Sequence, residues 1–168
     1  MPSAEIPLPF ELQDVDGGAA VESVRTLFQE YQASLGIDVC FQDFAQELAD
    51  LPGAYAPPGG RLYLALQARE PAACAALRPL GEKTCEMKRL YVRPSHRRRG
   101  IGRMLAQRAL ADARAIGYER VVLDTLTTMH EAQGLYATLG FEETAPYAFN
   151  PNAGVRFIAL QVRAGEQA

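Results

Sequence analysis

Apolar side chains along this chain switch repeatedly between strict alternation and a three-to-four-residue spacing, and the switches mark out its elements. Leu8 to Val15 alternates Phe10 and Leu12 with polar residues and stops at Asp16-Gly17-Gly18, which predicts a short strand and a turn. Val24, Leu27, Phe28, Tyr31 and Leu35 then share one helical face up to Gly36, and Phe41, Phe44, Leu48 and Leu51 predict a second helix closed by Pro52-Gly53. After the loop from Ala54 to Gly60, three apolar runs predict consecutive strands: Arg61 to Ala68, Ala72 to Leu77, and Thr84 to Arg93. Arg78 to Lys83 reads as a hairpin loop, so the last two should pair antiparallel. Ile101, Leu105, Ala109 and Ile116 mark a third helix ending at Gly117. Arg120 to Asp124 follows as a strand whose Val121-Val122-Leu123 run implies burial on both faces. Thr128 and Glu131 have capping-box spacing, predicting a fourth helix that carries Ala132, Leu135, Tyr136 and Leu139 and closes at Gly140. Phe141 to Thr144 and Val155 to Val162 complete the chain as two strands around a loop from Pro146 to Gly154. The result is an α+β fold of about seven strands and four helices.

Composition narrows the setting. At 168 residues and 48% hydrophobic content, residues 1–168 suit one soluble domain with a real core. Cys40, Cys74 and Cys85 form neither a Cys-x-x-Cys pair nor an even set, so they read as reduced core residues rather than a disulfide framework or zinc site. Met1 to Phe10 lacks the pattern of a secretory leader and no run reaches the roughly 18 apolar residues of a membrane span, so a cytoplasmic protein without membrane partners is expected. The net charge of -3 hides an asymmetry. Residues 1–50 hold ten acids and one base, Arg25, whereas Lys88 to Arg108 holds eight bases and no acid. Two sites of opposite sign, one for an anion and one for a cation, would explain this. Solvated acidic helices would too.

The basic stretch contains Arg97-Arg98-Arg99-Gly100-Ile101-Gly102, placed where a strand turns into a helix. First-turn N–H groups lack partners within a helix, and the aligned peptide dipoles put roughly half a positive charge there. Glycines let backbone approach a bulky phosphate, and arginines supply permanently charged forked donors. A dinucleotide fingerprint would need a third glycine where Leu105 stands, and a P-loop would need Gly-Lys-Ser/Thr, which is missing. A nucleic-acid patch is the remaining rival, but Arg97 to Arg103 has no interleaved aromatic for base stacking.

Arg97-x-x-Gly100-x-Gly102, preceded by Met87-Lys88-Arg89-Leu90-Tyr91-Val92-Arg93-Pro94, resembles the Arg/Gln-x-x-Gly-x-Gly/Ala signature of the GNAT superfamily of N-acetyltransferases and the strand before it. Gly134-Leu135-Tyr136-Ala137-Thr138-Leu139-Gly140-Phe141 is similar to that family's second hallmark. The resemblance is best from about Ala73 to Phe141. It implies a mixed central sheet whose fourth and fifth strands splay to admit the pantetheine arm of acetyl-CoA. Leu90, Tyr91 and Val92 would then offer backbone to that arm, and Arg97, Arg98, Arg99, Gly100, Ile101, Gly102 and Arg103 would hold the pyrophosphate. Tyr136 falls where many members protonate the leaving thiolate, and Glu86 where some place a general base. Many members carry an asparagine seven residues before the tyrosine; here that residue is Met129, which leaves its contact to Thr127, Thr128 or His130.

The implied activity is transfer of an acetyl group from acetyl-CoA to a primary amine of a small molecule or peptide, directly in a ternary complex and without a metal. Only on the order of one alkylammonium in a thousand is free amine at pH 7, so a base or a water chain is needed. A covalent route through Cys85 would need a base beside the thiol, and no Cys/His pairing is visible. Asp38, Asp43, Glu47 and Asp50 suggest a cationic acceptor drawn in by the acidic helices. Two other classes stay open: a non-catalytic acyl-CoA-binding sensor, which would not need Tyr136, and a nucleic-acid-binding domain. A homodimer is also compatible with the sequence.

Overall fold

The computed structural model describes residues 10–36 and 43–162. Its elements follow the hydrophobic pattern closely: β1 Phe10–Asp14, α1 Gly18–Leu35, α2 Phe44–Asp50, β2 Arg61–Gln67, β3 Glu70–Pro79, β4 Thr84–Val92, α3 Ile101–Ile116, β5 Arg120–Leu126, α4 His130–Leu139, β6 Glu142–Glu143 and β7 Val155–Gln161. The expected residues Leu8 of the first strand and Phe41 of the second helix lie outside the described residues. Two expectations need correction. The last strand pair is unequal, because β6 keeps only two residues, and Thr128 does not cap α4, whose N-cap is Met129 without a side-chain cap.

Seven strands form one sheet in the order β1-β2-β3-β4-β5-β7-β6. Every neighbouring pair is antiparallel except β4 and β5, which run parallel, so the sheet is mixed as expected. One face packs on α3 and α4 around Tyr63, Ala75, Met87, Leu105, Val121 and Leu123. The other packs on α1 and α2 around Val24, Phe28, Phe44, Leu62, Leu64 and Ala76. Period-two alternation explains the division: Cys85 and Met87 of β4 face the first layer, Glu86 and Lys88 the second. Ala72, Ala73, Ala75 and Ala76 of β3 and Ala106, Ala109 and Ala113 of α3 are fully buried, and such small side chains let the central strands and α3 approach closely. Among the described residues no helix is long and apolar enough to cross a membrane.

The feature that positions the site is a break between β4 and β5. They pair only at Thr84↔Arg120, Cys85↔Val121 and Glu86↔Val122, then part. On its other edge β4 carries an extra residue: Lys88 opposes Ala76 and Tyr91 opposes Cys74, which leaves Arg89 and Leu90 against Ala75 alone. Such a bulge bends and twists its strand, here away from β5. Arg89 sits in it at φ 60, a conformation that costs a non-glycine residue about 1–3 kcal/mol unless its surroundings hold it. They do so firmly. Glu47 of α2 takes two hydrogen bonds from the Arg89 guanidinium, at 2.9 and 3.0 Å, and the Phe44 ring lies 5.0 Å beneath it.

Candidate active site

Beyond the last β4–β5 pair opens a cleft of about 670 Å³. Its walls are the C-terminal end of α1 (Tyr31, Ser34, Leu35), the outer half of β4 (Leu90, Tyr91, Val92), the strand-to-helix elbow, and Thr128 to Ala132 with Leu135 at the entry and start of α4. Nine of the ten expected cofactor residues therefore come together: Leu90, Tyr91, Val92, Arg97, Arg98, Gly100, Ile101, Gly102 and Arg103. Arg99 does not join the wall. Its guanidinium turns to Gln67 of β2, donating at 3.0 Å.

A short turn over Pro94–His96 leads into the elbow, where Arg98 at φ 64 and Gly100 at φ 82 reverse the chain before α3 starts. A Cβ on Gly100 would meet nothing within 4 Å, so this position needs glycine for its left-handed backbone rather than for space. A Cβ on Gly102 would touch Leu135 and Val92 at an ordinary 3.7 Å. The first turn of the 16-residue α3 carries no acid, which leaves its N–H groups and dipole facing the cleft with no opposing carboxylate of their own. Arg97 donates to the Val92 carbonyl at 3.0 Å and ties the elbow to the end of β4, so that carbonyl already has a partner. Among the described residues the β5 side of β4 has no strand partner from Met87 outward, and an extended ligand could pair there as an added strand does.

Tyr136 of α4 is not part of the cleft wall, although its neighbour Leu135 is, and belongs instead to the core between the sheet and α3 and α4. Its ring packs edge-on against Phe141 at 5.6 Å and the residue is 6% exposed. Burial raises its phenol pKa, and the charges of Tyr31 and Asp124, which belong to the opposite layer, push it further. The hydroxyl thus stays protonated at neutral pH, which fits a proton donor and excludes a resident tyrosinate base.

Glu86 stands at the point where the strands part, but its carboxylate is engaged on both oxygens. Arg78 Nε donates to Oε1 and the Tyr147 hydroxyl to Oε2, each at 2.7 Å. Sequence reasoning finds neither partner. Arg78 falls in the expected hairpin loop, whereas β3 runs on to Pro79 and places Arg78 directly opposite Glu86. Tyr147 comes from the loop before β7, with no local sequence signal, and is held there by an edge-on contact with Phe157 at 5.3 Å. Lys88 is likewise buried on this face, where burial and the neighbouring Arg89 charge pull its ammonium down to about 8. Asp124 follows the last paired residue of β5 by two and accepts the Asn150 amide at 3.1 Å.

Part of the charge asymmetry is taken up inside the fold rather than at two sites of opposite sign. Acids of the first segment pair with bases of the second across the fold: Glu30 with Arg93 at 2.7 Å, Glu47 with Arg89 at 2.9 Å, Asp14 with Arg108 at 2.8 Å. Glu47 is therefore neutralised, Asp50 accepts the Gln46 amide, Asp43 is exposed, and Asp38 lies outside the described residues. Burial pushes the Cys85 thiol up to about 12 and also raises that of Cys74, so neither is a poised nucleophile. Cys40 is not among the described residues.

Residues 21–141 match the model of the Acetyltransferase (GNAT) family. An uncharacterised N-acetyltransferase of Schizosaccharomyces pombe is 38% identical over 144 residues, spanning 84% of this chain and 88% of its own. Among solved structures, a GNAT-family acetyltransferase of Staphylococcus aureus shares the fold with a TM-score of 0.78 at 19% identity, over 92% of this chain and all of that one. The acetyltransferase yncA of Salmonella typhimurium, solved with its cofactor acetyl-CoA, has a TM-score of 0.65 at 19% identity, over 95% and 96% of the two chains.

Proposed function

The chain belongs to the GNAT family of acetyltransferases, and from that premise we propose that it passes the acetyl group of acetyl-CoA directly to a primary amine while both are bound. The observation that carries this reading is the parting of β4 and β5 after Glu86, which opens an unpaired strand edge onto a cleft closed by a helix N-terminus and its arginines. Acetyl-CoA supplies an activated thioester. The protein's share is to bind, align and manage protons.

In this reading the elbow N–H groups and the side chains of Arg97, Arg98 and Arg103 take the diphosphate, with Gly100 supplying the reversed backbone that turns α3 toward it. Leu90, Tyr91 and the unpaired edge of β4 align the pantetheine arm. Arg99 contributes by anchoring the elbow to β2 through Gln67. Tyr136, protonated at neutral pH and next to Leu135 of the cleft wall, donates its phenolic proton toward the departing sulfur. Glu86 is the candidate base, acting through the hydroxyl of Tyr147 or a water, since neither of its oxygens is open. The raised pKa of Cys85 favours direct transfer over an acetylated cysteine.

The test is thiol release from acetyl-CoA against a panel of amines, amino acids and peptides. At least one primary amine should drive release well above hydrolysis, with intersecting initial-rate lines when both substrates are varied. Tight CoA binding with no amine-dependent release would leave a non-catalytic sensor as the better account.

A further inference from the structure

Glu86, Glu47, Glu30 and Asp124 are carboxylates beside the parting strands; Glu30 is held by Arg93 and Tyr91, and the other three differ in how they are occupied. Glu86 has both oxygens taken, by Arg78 and Tyr147, and Glu47 has both taken by Arg89. Asp124 receives on Oδ2 the amide of Asn150, and among the described residues no hydrogen bond to Oδ1 is present. It is also the one placed within the gap rather than at its edge, two residues past the last β4–β5 pair and on the same face as Phe157, its register partner on β7. Asp124 is partly exposed, unlike Val122 and Leu123 before it.

Tyrosines from three elements feel the charge of this carboxylate, and one of them, Tyr147, packs edge-on at 5.3 Å against Phe157, the register partner of Asp124. Tyr31 comes from α1 and also lines the cofactor cleft, Tyr136 comes from α4, and Tyr147 comes from the loop that Asn150 fastens. Each phenol is raised first by burial, Tyr31 to about 12, and the Asp124 charge acts on all three. The nearby guanidinium groups are already neutralised, Arg78 by Glu86 and Arg89 by Glu47. Lys88, the other cation of this face, is engaged in a contact of its own, with its ammonium pulled down to about 8 by burial. A carboxylate with an open oxygen and phenol rings in its neighbourhood can take an alkylammonium through a charge-assisted hydrogen bond, with cation–π contact where a ring face meets it.

We infer that Asp124 receives the acceptor's ammonium group, with Tyr31 and Tyr147 as its walls, and that the enzyme selects amines arriving as cations by this inner site rather than by the acids of α2. The inference rests on the acetyltransferase reading and assigns that reaction's acceptor subsite. Asn150 then acts as a positioning residue, holding one oxygen of Asp124 so that the other is left for the substrate.

The experiment titrates methylammonium, butylammonium and benzylammonium chloride calorimetrically into the protein saturated with CoA, with benzyl alcohol as a neutral control and acetyl-CoA consumption followed in parallel. Asp124→Asn keeps the shape and an acceptor oxygen for Asn150 but removes the charge; Asp124→Ser is the second variant should the first not fold. At least one ammonium probe should bind the parent. The variant should weaken it by about tenfold to a hundredfold, the loss expected when a charged hydrogen-bond partner is removed. Affinities for CoA and benzyl alcohol should not change. Absence of probe binding by the parent, a change below threefold in the variant, or an equal loss of benzyl alcohol would overturn the assignment. If binding depends on Asp124 but no probe consumes acetyl-CoA, the ammonium site stands and acetyl transfer to these amines is what fails.

Discussion

Removing the Glu47 carboxylate should destabilise this protein more than most single changes on a half-exposed helix, because it strands a buried charge. The Arg89 side chain is 5% exposed and that of Glu47 15%, and the two share a bidentate contact across 42 residues of sequence. Taking one partner from a buried pair typically costs about 3–5 kcal/mol, mostly the desolvation of the survivor. Two features lower the figure here. Water can reach the Glu47 side, and the Phe44 ring remains under the guanidinium at 5.0 Å, a contact of about 0.5–2 kcal/mol. The expected loss for Glu47→Gln is therefore about 3 kcal/mol, or a fall of about 6–12 °C in Tm at this chain length. Urea unfolding of Glu47→Gln, Arg89→Met and the double variant would measure it. The double variant should be more stable than the sum of the single losses predicts, since removing both charges leaves none stranded. Because the pair also holds the bulge at φ 60, Glu47→Gln should raise the Michaelis constant for acetyl-CoA. A loss below about 1 kcal/mol, or additivity of the two single variants, would refute the claim that this pair fixes the bend in β4.

Other consequences are simpler to state. Gly100→Ala should cost about 1–2 kcal/mol in stability and weaken CoA binding, because φ 82 is unfavourable for alanine although space is free; equal CoA affinity by calorimetry would remove the elbow from the phosphate site. Tyr136→Phe should lower the turnover number by about a hundredfold or more with little change in acetyl-CoA affinity, and a loss below threefold would count against the proton donor unless product release limits the parent. Lys88 titrates near 8 in the fold against an ordinary 10.5, so between those values the unfolded chain binds the extra proton and stability rises with pH. From pH 8 to pH 9 the parent should gain about 1 kcal/mol relative to Lys88→Met, read from urea unfolding, and parallel pH profiles would contradict the burial of its charge.

The elements were legible wherever burial imposes a period. Ile101, Leu105 and Ala109 marked α3 to within a residue of its start, and Val121 to Leu123 marked a strand covered on both faces. The elbow was legible too, because its chemistry is local: two glycines, four arginines and a change of period within seven residues, Arg97 to Arg103. What stayed hidden depends on register. The extra residue at Arg89 exists only relative to β3, and the Arg78–Glu86–Tyr147 and Asp124–Asn150 contacts join positions whose nearness follows from strand pairing. Thr128 shows the opposite failure: it has the spacing of a capping box, yet the chain enters α4 one residue later than that motif requires. The acidic and basic segments were visible as compositions, but composition could not tell that Glu30 and Glu47 meet Arg93 and Arg89.

The central claim, direct acetyl transfer across the gap between β4 and β5, is tested most directly by rapid-quench mass spectrometry of the intact protein. The enzyme is mixed with acetyl-CoA alone, then with acetyl-CoA and an amine that the turnover screen has identified. Direct transfer predicts that the protein mass stays unchanged in both mixtures, and that acetylated amine appears in the second in step with free CoA. A protein species carrying one acetyl group, formed without amine and consumed at the turnover rate when amine is added, would contradict the account.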